Sequence, residues 1–104
     1  MKKTIAGLLS VIVLAALAQS ARAADASNGE RLAKRWCAAC HVVAADQTRP
    51  SGEAAPFSAI AKTPGLDSSK LALFLLLPHP KMPDMQLSRA EAADLAAYIA
   101  QQGK

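Results

Sequence analysis

The sequence predicts a small all-α domain of about three helices. Apolar residues recur at helical spacing in two stretches, and a third stretch between them is apolar all round. Each stretch follows a polar cap: Ser27 or Asn28, then Asp67 with Ser68, then Ser88. No segment of useful length shows the strict apolar–polar alternation of a strand.

The chain has 104 residues, which bounds it to one small domain. Its start reads as a leader rather than as part of that domain. Met1-Lys2-Lys3 is basic, Ile5 to Ala18 is apolar, and Ala21-Arg22-Ala23 has small-x-small cleavage character. That is the pattern of a secretory signal peptide over residues 1–23. The apolar run is short for a membrane-spanning helix, which needs about 20 residues, so an uncleaved anchor is the weaker reading. The expected domain is residues 24–104, exported to the periplasm.

Loss of the leader changes the charge argument. The whole chain carries a formal +4. Lys2, Lys3 and Arg22 would leave with the leader, taking it to +1. The basic balance is therefore largely a property of the leader and gives no reason to expect nucleic acid as a partner.

The first helix is expected from about Gly29 to Ala39, with Leu32, Ala33 and Trp36 on its apolar stripe. Trp36 should be cofactor-adjacent core or a packing lid rather than a binding hot spot. At its end stands Cys37-Ala38-Ala39-Cys40-His41. C-x-x-C-H is the attachment signature of c-type haem. With about 100° between successive helical residues, the two thiols and the imidazole project from one face. Cys37 and Cys40 can then add to the two haem vinyl groups, and His41 can bind the iron as proximal ligand. Three other readings compete for the pair, of which a structural disulfide would leave His41 unexplained. A redox dithiol would want a βαβ pattern around it, and none is visible. Structural zinc wants four ligands. His79 is the nominal fourth, but it lies between Pro78 and Pro80 rather than in a spaced histidine pair.

Val42 to Lys62 reads as loop, punctuated by Asp46, Pro50, Gly52 and Pro56. The second helix should run from about Ser69 to Leu77, stopped by Pro78. Its body is apolar all round, and a domain of this size cannot bury every side of it. Leu71, Phe74 and Leu75 should face inward; Leu73, Leu76 and Leu77 fall partly elsewhere. Pro78 to Pro83 is an extended, proline-braced loop. Ser88-Arg89-Ala90-Glu91 is a capping box that opens the last helix, which reaches about Gln102. Leu95, Tyr98 and Ile99 share one of its faces.

Taken together, these residues resemble a class I c-type cytochrome over nearly all of 24–104. The resemblance rests on Gly29 eight residues before Cys37, the Cys37–His41 pentapeptide, Pro56, Lys81-Met82-Pro83, and Leu95-Ala96-Ala97-Tyr98-Ile99. It implies the small cytochrome c fold, with helices wrapped around one haem c. It implies that Gly29 lets the first and last helices cross closely, against Leu95 and Tyr98. It implies that the Pro56 carbonyl accepts from the His41 imidazole, and that Met82 is the distal iron ligand. His79 and Met85 are nearby competitors for that place. The segment between His41 and Met82 is short for the family, and Ala55 stands where glycine is usual. No propionate contact is assigned.

The resemblance further implies a soluble periplasmic electron carrier rather than an enzyme. The carrier would be a monomer that docks transiently with redox proteins at its exposed haem edge. Two rivals are an enzyme or gas binder with an open iron position, and a permanent subunit of a larger oxidoreductase.

Overall fold

The computed structural model describes residues 23–47, 54–78 and 80–104. The leader up to residue 22 lies outside the described residues, as does His79. Four helices are present among the described residues: α1 (Ala26–Trp36), α2 (Phe57–Ala61), α3 (Ser68–Leu76) and α4 (Arg89–Gln101). This bears out the all-α expectation and adds one short helix to the three anticipated.

Helix α1 starts earlier than expected. Asp25, not Ser27 or Asn28, is its N-cap, and its carboxylate accepts from the Asn28 amide at 3.1 Å. The Asp94 carboxylate of α4 accepts from the Asp25 amide at 2.6 Å and from the Asn28 side chain at 2.9 Å, tying the two helices together. Lys34 and Arg35 lie in the last turn of α1, where positive charge suits the helix dipole. The helix then stops before the cysteine motif rather than running through it.

Helix α4 packs on each of the other three helices. Its closest approach is to α1 at Gly29. A Cβ there would run into the Asp94 carbonyl oxygen and lie 2.8 Å from the Tyr98 Cβ. A glycine is therefore required at this crossing. Ser88 and Glu91 form the reciprocal capping box that starts α4.

Val43, Phe57, Leu71, Leu95, Ala96, Tyr98 and Ile99 join Ala33 in one buried cluster. Helix α3 is capped by Asp67 and contributes only Leu71 as a fully buried residue. Leu73, Leu76 and Leu77 are all exposed, as the small size of the domain required. Of the two places expected for Trp36, the buried core is not the one it takes. It is exposed, with the Arg35 guanidinium 4.9 Å above its ring. It is the last residue of α1, three positions after the buried Ala33.

Candidate functional site

The segment after α1 winds on in tight turns. The Cys37 amide bonds to the Ala33 carbonyl at 2.9 Å, and the Cys40 and His41 amides both bond to the Cys37 carbonyl, at 3.1 and 2.9 Å. These are single-turn bonds of the helical kind, so the motif stays wound although α1 has ended. Cys40 is exposed and Cys37 half-buried; both are free thiols. Burial, and then the neighbouring Cys40, push the Cys37 thiol up to about 11.

His41 is held on three sides. Its amide is bonded to Cys37, and its carbonyl accepts from the Gln47 side chain at 2.9 Å. Its Nδ1 lies 2.6 Å from the Ala55 carbonyl oxygen. This corrects the expectation for Pro56. Pro56 is the N-cap of α2, and its carbonyl is already engaged by the Ala59 and Ile60 amides at 3.0 and 3.1 Å. The carbonyl one residue earlier remains to face the imidazole. An Nδ1–H donated to that carbonyl leaves Nε2 as the free nitrogen lone pair. Phe57 packs against the imidazole with ring centroids 5.4 Å apart, and Tyr98 stands edge-on behind Phe57.

A cavity of about 530 Å³ opens beside this histidine. Cys37 and His41 line one part. Phe57, Ile60, Leu66, Leu71, Phe74, Leu75, Leu95 and Ile99 supply apolar wall, and Met82 reaches it from the loop before α4. Thr63 and Lys70 are its polar lining residues. Phe74 is half-exposed overall yet faces this cavity, so its exposure differs in kind from that of Leu73. Met85 does not line the cavity. The volume is in the range of cofactor pockets, and the apolar wall with nitrogen and thioether donors suits a flat macrocycle with a soft-to-borderline metal. Among the described residues, no three His, Cys, Asp or Glu side chains are grouped so that they could hold a metal ion.

The family model described as Cytochrome c matches residues 26–103. The chain belongs to the cytochrome c family. It is 54% identical over 93 residues to cytochrome c-552 of Bradyrhizobium diazoefficiens, covering 89% of each chain. No solved structure matches it significantly. As a member of this family it carries a covalently bound haem c with its iron, and it is an electron carrier with redox partners. The residues around the cavity fit that group. They offer the Cys37 thiol for attachment, nitrogen and thioether donors of the kinds found on six-coordinate haem iron, and an apolar surround; Cys40, exposed three residues on, is not part of the lining.

Sequence reasoning missed two contributors to this site. The Ala55 carbonyl carries no side-chain signal. Gln47 has no pattern around it that marks it, and only the folded loop shows what it touches.

Proposed function

We propose that this cytochrome c is a soluble periplasmic carrier of single electrons, with Cys37 and Cys40 as thioether anchors and His41 and Met82 as axial iron ligands. The observation that carries the ligand assignment is that His41 and Met82 line one apolar cavity. Haem iron supplies the one-electron exchange between ferric and ferrous states. His41 and Met82 would keep the same six-coordinate arrangement in both, so little of the protein needs to reorganise. Thioether sulfur favours the ferrous state, and the apolar wall disfavours the extra charge of the ferric state. The exposed Cys40 marks the edge at which redox proteins would dock transiently.

Residues 1–23 are read as a cleaved leader that directs the chain to the periplasm. Among the described residues, no helix is long and apolar enough to cross a membrane. The carrier is taken to be a monomer without enzymatic activity. A second reading keeps the electron transfer but makes the partner permanent. The exposed Leu73, Leu76 and Leu77 favour it. The mass of the native species in gentle periplasmic extracts separates the two.

The ligand assignment is tested by replacing Met82, Met85 and His79 singly with alanine and recording ferric spectra. Loss of the far-red sulfur-to-iron band only in Met82→Ala is the expected result. A Met82→Ala protein that keeps the band and remains low-spin overturns it.

A further inference from the structure

We propose that Gln47 is a positioning residue for the proximal ligand: its side-chain amide fixes the backbone on which His41 is carried, and through it the orientation of the imidazole. The inference rests on the reading of His41 as the proximal ligand.

The argument begins with the backbone after the cysteine motif. Residues 41–43 lie outside any helix, so their polar groups need partners from elsewhere. Gln47 supplies several at once. Its Oε1 accepts from the Val43 amide at 2.8 Å. Its Nε2 donates to the His41 carbonyl at 2.9 Å and to the Ala38 carbonyl at 3.3 Å. A glutamine amide has two N–H donors and a carbonyl acceptor, and both kinds of group are used here. The remaining carbonyls of the segment are held from other elements. Val42 accepts from the Phe57 amide at 2.9 Å, and Val43 accepts from the Tyr98 hydroxyl at 2.6 Å.

Among these contacts, the Gln47 bond to the His41 carbonyl is the one that acts on the ligand residue itself from its C-terminal side. The Cys37 carbonyl holds His41 from the N-terminal side, and the Ala55 carbonyl holds the ring at Nδ1. Ring orientation is therefore set by two backbone anchors and one ring anchor. Without the C-terminal anchor, the Cα–Cβ bond of His41 can tilt, and the ring must follow or strain its bond to Ala55. Gln47 also spans from Ala38, between the two cysteines, to Val43. One amide thus links the attachment loop to the ligand it presents.

Two substitutions separate positioning from general support of the loop. Gln47→Met keeps the length and removes all three bonds. Gln47→Glu keeps an acceptor for the Val43 amide and removes both donors. The control is Gln102→Met, because Gln102 likewise donates to a backbone carbonyl, that of Tyr98 at 3.2 Å within α4, while the Tyr98 hydroxyl that reaches the loop is left in place. The readout is the pattern of paramagnetically shifted haem-methyl resonances in the ferric holoprotein, which follows the plane of the axial ligand, together with the reduction potential. Both Gln47 variants should show an altered spread of haem-methyl shifts and a changed potential, with Gln102→Met unchanged. A wild-type methyl pattern and potential in Gln47→Glu overturns the proposal, and that variant decides if Gln47→Met does not retain haem. His41→Ala tests the underlying ligation separately: a low-spin spectrum identical to wild type there would fail that reading, whatever the Gln47 variants do.

Discussion

The two sides of the cavity are built by different means. On the His41 side, amides and carbonyls from residues 37–47 and 55–57 close on one another, with the Gln47 and Tyr98 side chains reaching in to complete them. On the Met82 side, the chain is shaped by stiffness. Pro80 and Pro83 flank the segment, Lys81 adopts a left-handed backbone at φ 69°, and Gln86 does so at φ 51°. The Asp84 carboxylate accepts from the Gln86 amide at 2.9 Å and braces that second turn locally. A directional nitrogen ligand with an N–H to satisfy needs a hydrogen-bonded setting. A thioether on a long, adaptable side chain needs only to be delivered to the right place.

The largest expected effect abolishes the contrast altogether. Both sides face the same cavity, the rest of its lining is mostly apolar, and a small domain has little other core. Cys37→Ala with Cys40→Ala should remove covalent haem and leave a chain without a cooperative thermal transition, followed by circular dichroism. A sharp, native-like transition in that double variant would show that the protein fold stands without the group.

The contrast also explains what could be read in advance. Helix α4 was legible down to its capping box, because Ser88 and Glu91 are side-chain signals at fixed spacing. The Cys37–His41 motif was legible for the same reason, and the Gly29 crossing through the family resemblance. Helix α2 was not: it has five residues and no side-chain cap, with only Phe57 and Ile60 hinting at a helical period. The partner of His41 was misplaced by one residue, because the choice lies between two backbone carbonyls. The start of α2 consumes that of Pro56 and leaves that of Ala55. Residue type encodes caps and periodicity well, but it does not encode which backbone group a loop leaves free.

A second test weakens the hydrogen-bonded side alone. Tyr98→Phe leaves the ring in place and strips the Val43 carbonyl of its donor. Leaving a buried acceptor unpaired costs about 1–3 kcal/mol, measurable as a lower denaturant midpoint. Burial, and then the Glu30 carboxylate, hold the Tyr98 hydroxyl above its usual range. The unfolded chain therefore loses this proton first as pH rises. The contribution is fully present below about pH 10, the ordinary tyrosine value, and is lost as pH climbs through the raised folded value. Tyr98→Phe should lack that alkaline loss.

On the stiff side the expected effect is smaller and opposite in sign. A residue with a Cβ in the left-handed region costs about 1–2 kcal/mol, and glycine escapes this while adding about 0.5–1 kcal/mol of chain entropy. Lys81→Gly should therefore stabilise the holoprotein by about 0.5 kcal/mol, while Lys81→Val should destabilise it, since branching at Cβ suits that backbone least. Urea midpoints measure both. Retention of the far-red band in Lys81→Gly would show that the backbone of the loop, rather than the lysine side chain, delivers Met82.

The smallest effect belongs to neither side of the cavity but to the outer face of α3. Leu71 is buried and Leu75 lines the cavity, whereas Leu73 and Leu77 are more than half exposed, at 58% and 53%. Apolar area that is not removed from water contributes little to folding, so these leucines give the fold almost no stability. Leu73→Gln and Leu77→Gln should each move stability by no more than about 0.5 kcal/mol. A loss well above that in the purified monomer would mean that the outer face is covered in solution by part of the chain itself. A neutral result for stability, combined with slower electron exchange with a redox partner, would assign the two leucines to contact with that partner.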